Sequence, residues 1–343
     1  MIKYTIIIPT CNKNLIRRCL EYISRLNETA HNYEVLVIHN VSHDNIREVV
    51  DNFQNKIPDL RYIHEENYGQ MNSRHRGAKE AKGDILCFLD DDSFVDKDWL
   101  RAIEDTFKNP DVVLAGGNNL PFYEVSPPKW LKYFWTDTPC GKYMGELSLI
   151  KFKDKNVCVP AWFVFGCNFN IKKNIFFEFG GTNPDVVPKD KQRFQGDGET
   201  ALSYKLNYAG YVAHFNPAIK INHLVTKERM TLAYFKKRAF YQGVADSYSK
   251  IRKEHNFHYY FTQNQNIDQL KFNLLKRICD KFARVVNSRL KRMYIFVNPA
   301  YKMAVKIKSE YSISCTEGFV FHQNEVKNDS ELLKWVLKEN YLD

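Results

Sequence analysis

The stretch Asp84-Ile85-Leu86-Cys87-Phe88-Leu89-Asp90-Asp91-Asp92 sets an unbroken apolar run directly before three consecutive carboxylates. Such a run is too continuous for a strand with one wet face, so it belongs in the middle of a sheet covered on both sides. The triplet then emerges at the carboxyl end of a central strand, where open α/β sheets bind ligands. Adjacent carboxylates raise one another's pKa unless a cation neutralises them. A hard divalent ion that takes one or two protein carboxylates and bridges to phosphate oxygens is the common solution. The competing account is a solvated turn in which Asp92 or Ser93 leads into the helix that carries Trp99.

Outward from this point, the first 120 residues alternate β-branched runs with helical patterns, which predicts βαβ units and a mostly parallel sheet. Strands are expected at 6–9, 34–38 and 61–63. Between them lie a helix over 14–28, with Ile16, Cys19, Leu20 and Ile23 on one face, and a helix over 70–81 that stops before Gly83. The stretch 121–135, with Pro121, Pro127, Pro128 and six aromatics, reads as a loop. Its Trp130, Tyr133 and Trp135 offer rings that could stack on a ligand ring, although an aromatic cluster is more often core. An apolar run at 162–171 precedes a helix at 172–179, Gly180-Gly181, and a helix at 199–208 that ends before Gly210. Beyond residue 226 the pattern is helical, basic and aromatic.

With 343 residues and 44% hydrophobic content, the chain can bury a sizeable core, and disorder is not expected. Eight cysteines without a Cys-x-x-Cys pair, one of them inside the central run, read as reduced thiols of a cytoplasmic protein. No secretion signal is seen at the start, and no run approaches the roughly 18 apolar residues of a membrane span. The net charge of +10 concentrates in 271–308, which holds eleven Lys or Arg and one acid, Asp280. Together with Phe272, Ile278, Phe282 and Leu290, these residues make an amphipathic helical pattern. It could lie on the inner, anionic face of a membrane near a lipid-linked acceptor, or pack on the rest of the protein with a solvated basic side. Without a recognisable binding module, a nucleic-acid partner is not expected.

Four ordered blocks resemble family 2 glycosyltransferases of the GT-A fold, a Rossmann-like, mostly parallel mixed α/β sheet with flanking helices. They are Thr5-Ile6-Ile7-Ile8-Pro9-Thr10-Cys11-Asn12; Asn67-Tyr68-Gly69 through Ser73-Arg74-His75-Arg76-Gly77 to the Asp90-Asp91-Asp92 triplet; Gly166-Cys167-Asn168-Phe169 with Gly180-Gly181; and Gly196-Asp197-Gly198-Glu199-Thr200 with His223. The resemblance implies a catalytic domain over 1–225, with a nucleotide-sugar half (1–120) and an acceptor half (121–225), and a helical, basic C-terminal extension over 226–343.

It also implies roles. The triplet looks like the DxD motif, with Asp92 on a Mn or Mg ion and Asp90 and Asp91 on the donor. Pro9, Thr10 and Asn12 would line the nucleoside pocket, though Asn12 also suits a helix cap, and Arg74 would lie near the nucleotide. Where the family has a base-reading Asp, this chain has His39 and Asn40, which leaves the base open, with a UDP-sugar as first choice. Glu199 takes the position of the catalytic base and Asp197 is the alternate, although an Asp197 cap and a first-turn Glu199 would look the same in isolation. His223 would be a further metal ligand, or a structural histidine. Trp162 and Asn168 would meet the acceptor, a carbohydrate or lipid-linked glycan hydroxyl. The implied activity is an inverting transfer. A nucleotidyltransferase and a non-catalytic sugar-binding module are the competing classes.

Overall fold

The computed structural model describes residues 3–27, 32–41, 44–153, 157–260 and 298–342. The expected alternation opens it: β1 (Tyr4–Thr10), α1 (Lys13–Ile23), β2 (Tyr33–Asn40), α2 (Ile46–Asp51), β3 (Leu60–Glu65), α3 (Gln70–Glu80) and β4 (Ile85–Leu89). Then come β5 (Ser93–Val95), α4 (Trp99–Phe107), β6 (Leu114–Gly116), β7 (Asn119–Tyr123), β8 (Thr136–Thr138), β9 (Gly141–Met144), β10 (Leu149–Phe152) and β11 (Val157–Val159). They are followed by β12 (Asn168–Lys172), α5 (Lys173–Glu178), α6 (Glu199–Tyr208), β13 (Ala213–Phe215) and β14 (Ile221–Val225). Helices α7 (Leu232–Glu254), α8 (Pro299–Asn328) and α9 (Ser330–Val336) form the C-terminal part.

The main sheet runs β11-β13-β6-β12-β4-β1-β2-β3, with β4, β1, β2 and β3 parallel and β12 antiparallel to β4. Its register sets Ile6 beside Val35 and Cys87, so alternate residues face opposite sides. Ile6, Val35, Cys87 and Leu89 join one core with Cys19 and Leu20 of α1 and Trp99 of α4. Ile7, Leu36, Leu86 and Phe88 join the other with Ala78 of α3, Phe176 of α5 and Leu202 of α6. The central run is therefore continuous because both faces of β4 are covered. Buried polar groups pin its entry: Glu34 accepts from the Thr5 hydroxyl (2.8 Å) and from Arg61 (3.0 Å). A Cβ on Gly83 would lie 2.7 Å from the Tyr4 carbonyl carbon, so only glycine lets the chain pass there.

A second sheet, β5-β14-β7-β10-β9-β8, stands beyond the triplet. The stretch 121–135 is thus not simply a loop: β7 pairs with β14, and a 3-10 turn spans Leu131–Phe134. Trp130 and Phe134 pack edge-on against Phe235 of α7, and Tyr133 and Trp135 lie against the same core. This core, which includes Ala304 and Ile307 of α8, welds the C-terminal helices to the second sheet and takes up the aromatics, in keeping with their core reading and not the ring-stacking one. Residues 261–297, which hold most of the basic amphipathic stretch, lie outside the described residues. Among the described residues no helix is long and apolar enough to cross a membrane, and the seven described cysteines are free.

Helices α7 and α8 touch backbone to backbone. A Cβ on Gly243 would sit 1.9 Å from the Cys315 carbonyl oxygen, and one on Gly318 would sit 2.0 Å from that of Phe240. Gly243→Val and Gly318→Val should each cost about 1–3 kcal/mol in urea denaturation through overpacking, whereas Gly145→Ala, with open space around it, should not. Equal stability of all three variants would contradict this packing.

A second expectation concerns pH. His75 donates from Nδ1 to the Tyr341 carbonyl (2.9 Å) and accepts at Nε2 from the Thr182 amide (3.1 Å), tying α3 to the C-terminal segment. Burial holds this imidazole neutral, its pKa lowered to about 4, and does the same to His322. An unfolded histidine titrates near about 6.5, so their stabilisation is fully present above that pH and is lost as pH falls toward 4. Melting temperature should drop across this window, and a His75→Gln/His322→Gln variant should show a shallower slope. Parallel slopes would refute the assignment.

Candidate active site

The triplet leaves β4 half-buried, and each carboxylate meets a different partner. Asp90 Oδ1 accepts from Gln70 Nε2 (2.8 Å) and from the Arg74 guanidinium (3.1 Å). Asp91 Oδ2 accepts from the Thr10 hydroxyl (2.7 Å) at the end of β1. Asp92 faces His223 Nε2 (3.2 Å) with one oxygen and Arg229 (2.9 Å) with the other. Burial and the neighbouring Asp92 push Asp91 up to about 8, and Thr10 only partly opposes them. At Asp92, burial is outweighed by His223 and Arg229, so this carboxyl titrates below its ordinary value. The three acids thus differ in charge because their partners differ.

His223 reaches the triplet through strand pairing. The three-residue β5, just after the triplet, runs antiparallel to β14 with Ser93 opposite His223, and the Leu224 amide donates to the Asp92 carbonyl (2.9 Å). His223 therefore lies inside β14, not after a strand. Its Nδ1 donates to the Leu147 carbonyl (3.0 Å), so Nε2 faces Asp92: protonated, it donates to that carboxylate; neutral, it offers a lone pair to a cation shared with Asp92. Two cis ligands of an octahedral ion bound at about 2.1 Å stand about 3 Å apart, so the 3.2 Å spacing of Asp92 and His223 fits one cation. No larger cluster of His, Cys, Asp or Glu able to hold a metal forms among the described residues. The pair fits an ion that takes its other ligands from phosphate and water, as nucleotide-bound Mg and Mn do. Arg229 also stands there, 3.5 Å from His223 Nε2, with its own Nε buried and unpartnered.

Arg74 occupies the centre. Its side chain is 4% exposed, and its two terminal nitrogens reach Asp90 (3.1 Å) and Glu199 Oε2 (3.5 Å). Burial opposes its charge, but Asp90, Glu199 and Asp185 more than compensate, so the guanidinium stays protonated. It is therefore an ion-pair bridge between the triplet and α6 rather than a free phosphate ligand. Glu199 Oε1 accepts from the Gly166 amide (2.9 Å). A Cβ on Gly166 would lie 2.7 Å from Arg74 and 2.9 Å from the Glu199 carboxyl carbon, so this glycine makes room for the bridge. Gly198, with φ +58, turns the chain into α6 where a Cβ would strike Asp185.

Glu199 and Trp162 line a cleft of about 340 Å³, together with Glu146, Arg238 and Tyr311. Other expected site residues are turned elsewhere. Asp197 is half-buried and accepts from Asn183 (2.8 Å) at Oδ1 and from Ser249 (2.9 Å) and Tyr260 (2.7 Å) at Oδ2, so both its oxygens are committed. Asn168 is 1% exposed and bonds Trp99, Asn119 and the Ile219 carbonyl, which makes it a core hub and removes it from acceptor contact. Asn12 is the α1 cap, accepting from the Asn14 and Leu15 amides. Pro9 is half-buried in β1 opposite Ile38. His39 is buried against Tyr62 (2.7 Å), and Asn40 holds the Asn67 carbonyl and the Gly69 amide. Gln70, Arg229, Asp185 and Glu146 were not singled out beforehand. Only the three-residue offset of Gln70 from Ser73 in a recognised block hinted at any of them.

Comparison with known proteins bears on this geometry. Residues 5–179 match the model of glycosyl transferase family 2. The chain is 24% identical over 227 residues to a glucosyl-dolichyl phosphate glucuronosyltransferase of Haloferax volcanii, covering 64% of this chain and 68% of the relative. It is 22% identical over 228 residues to the succinoglycan biosynthesis protein ExoM of Rhizobium meliloti, covering 64% and 66%. A mannosyltransferase from Pyrobaculum calidifontis, solved with GDP-Man and Mn2+, superposes with a TM-score of 0.56 at 18% identity, over 93% of this chain and 87% of that one. That likeness shows the GT-A fold. Since the family match spans half of the chain and runs through the triplet, this protein belongs to glycosyltransferase family 2.

Proposed function

We propose that the protein transfers one sugar, with inversion, from a nucleotide-diphosphate sugar to a hydroxyl of a carbohydrate or lipid-linked glycan, with Glu199 as general base. The observation that carries this reading is Glu199 itself: a carboxylate on the cleft wall, oriented by the Gly166 amide and by the guanidinium that also holds Asp90. Membership of glycosyltransferase family 2 and similarity to a mannosyltransferase solved with GDP-Man support a nucleotide-sugar donor. Glu199 takes the proton of the acceptor hydroxyl as that oxygen forms its bond to the anomeric carbon. The bond from that carbon to the diphosphate breaks on the opposite face, and the proton passes from Glu199 to solvent. Asp90 and Asp91 are donor contacts, and Asp92 with His223 holds the divalent cation. When bound, that ion takes up charge building on the departing diphosphate. Polysaccharide biosynthesis is the proposed setting, with residues 271–308 in contact with an anionic membrane. In the described part of that stretch, Lys302 and Lys306 are exposed beside Met303 and Val305.

Glu199→Gln should lower kcat by roughly 10²–10⁴ while nucleoside diphosphate affinity, by calorimetry, stays within about threefold of wild type. Transfer at wild-type rate would eliminate Glu199 as base. Arg229 competes for Asp92, so Arg229→Gln should bind Mn2+ on the order of tenfold more tightly, read as loss of the free Mn2+ EPR signal without nucleotide. Weaker binding would remove Arg229 as a competitor.

A further inference from the structure

The cleft beside Glu199 is closed on its far side by the C-terminal helices. Arg238 and Gln242, one turn apart on α7, and Tyr311 of α8 face Glu146 and Trp162 across it. Its volume, about 340 Å³, lies at the small end of ligand sites, and its lining mixes aromatic faces with a few converging polar groups.

Two of those groups are unspent. Glu146 makes no described side-chain hydrogen bond or ion pair to another residue, although Arg238 and Lys308 act on it through space and burial raises its pKa. Lys308 is committed, donating to the Tyr133 carbonyl (2.7 Å) and lying over Phe134. Arg238 likewise has no described hydrogen bond or ion pair, and it reaches Glu146 only through space. Gln242 is anchored to Asp246 (2.8 Å). The charge lining the cleft is thus balanced: Arg238 stands against Glu146, and Glu199 is already paired with Arg74. An anionic ligand would give up hydration for no net attraction, whereas vicinal hydroxyls can donate to Glu146 and accept from Arg238. Trp162, tilted against Tyr204, offers an aromatic wall for the apolar face of a ring.

We propose that Glu146 and Arg238, with Trp162, form the subsite for the acceptor's terminal residue, and that this residue is a neutral, polyhydroxylated sugar ring rather than a uronate or a phosphorylated sugar. The inference rests on the glycosyl-transfer reading above and adds the class of acceptor. It makes the C-terminal helices part of the acceptor site. The charge pair across the cleft then sets specificity.

Saturation-transfer NMR on the full chain tests it, with methyl glycosides of neutral hexoses, the matching uronates, a hexosamine and a hexose 6-phosphate, and a nucleoside diphosphate titrated into the same samples. A neutral glycoside should bind at least tenfold more tightly than its uronate or phosphate. Glu146→Gln and Arg238→Leu should each weaken it tenfold or more, with melting temperatures recorded to exclude unfolding. Tighter binding of a uronate, phosphate or hexosamine, or unchanged affinity in a folded variant, overturns the proposal. Nucleoside diphosphate binding without any saccharide binding also overturns it and leaves the transferase reading standing; binding of neither sinks both.

Discussion

One buried guanidinium organises the site. Arg74 is almost sealed from solvent, and a charge in that position is tolerable only if it is paired. Its partners, Asp90 and Glu199, come from opposite sides: one leaves the central strand of the parallel sheet, the other starts a helix more than a hundred residues later. Each carboxylate satisfies part of the same cation, so the separation between donor acid and candidate base is held by an ion-pair bridge. Gly166 belongs to this constraint, because any side chain there would displace one of the three groups.

The same logic governs the rest of the acid cluster. Three adjacent carboxylates cannot all remain charged without cations, and the chain distributes its counter-charges unevenly. Arg74 serves Asp90, although burial still raises that carboxyl; Arg229 and His223 serve Asp92; and Asp91, with only the Thr10 hydroxyl, is pushed up to about 8. Asp92 is thereby kept ionised. Arg229 gives the pocket a counter-ion of its own, placed there by the few residues that join β14 to α7.

How much of this could be read from sequence follows from where the physics is local. The central strand was legible because burial on both faces leaves an unbroken apolar run, and the start of α6 at Glu199 was legible because a glycine-flanked acid opens a helix. His223 was marked by its block, but its partner was not legible, since the pairing that brings it beside the triplet uses a β5 of only three residues. Asn168 misled because a polar residue facing a core partner far along the chain looks the same as one facing a ligand; for the aromatics at 130–135, open to both readings, the core one holds. Asn168 finds Trp99 and Ile219, and Trp130 finds Phe235. Asp197 satisfied the local pattern of a catalytic acid, yet Asn183 takes one of its oxygens and Ser249 and Tyr260, beyond the recognised blocks, take the other. Arg229 and Asp185 carried no periodic or motif signal at all.

The central claim is that Arg74 acts through Glu199, so that base and donor acid function as one unit. A double-mutant cycle on kcat/KM with Arg74→Gln and Glu199→Gln tests it most directly. If the bridge is real, the two losses are strongly non-additive, with a coupling above about 1 kcal/mol, because removing Arg74 costs little once Glu199 can no longer take a proton. Additive losses would contradict the account and return Arg74 to the role of an independent donor-side residue.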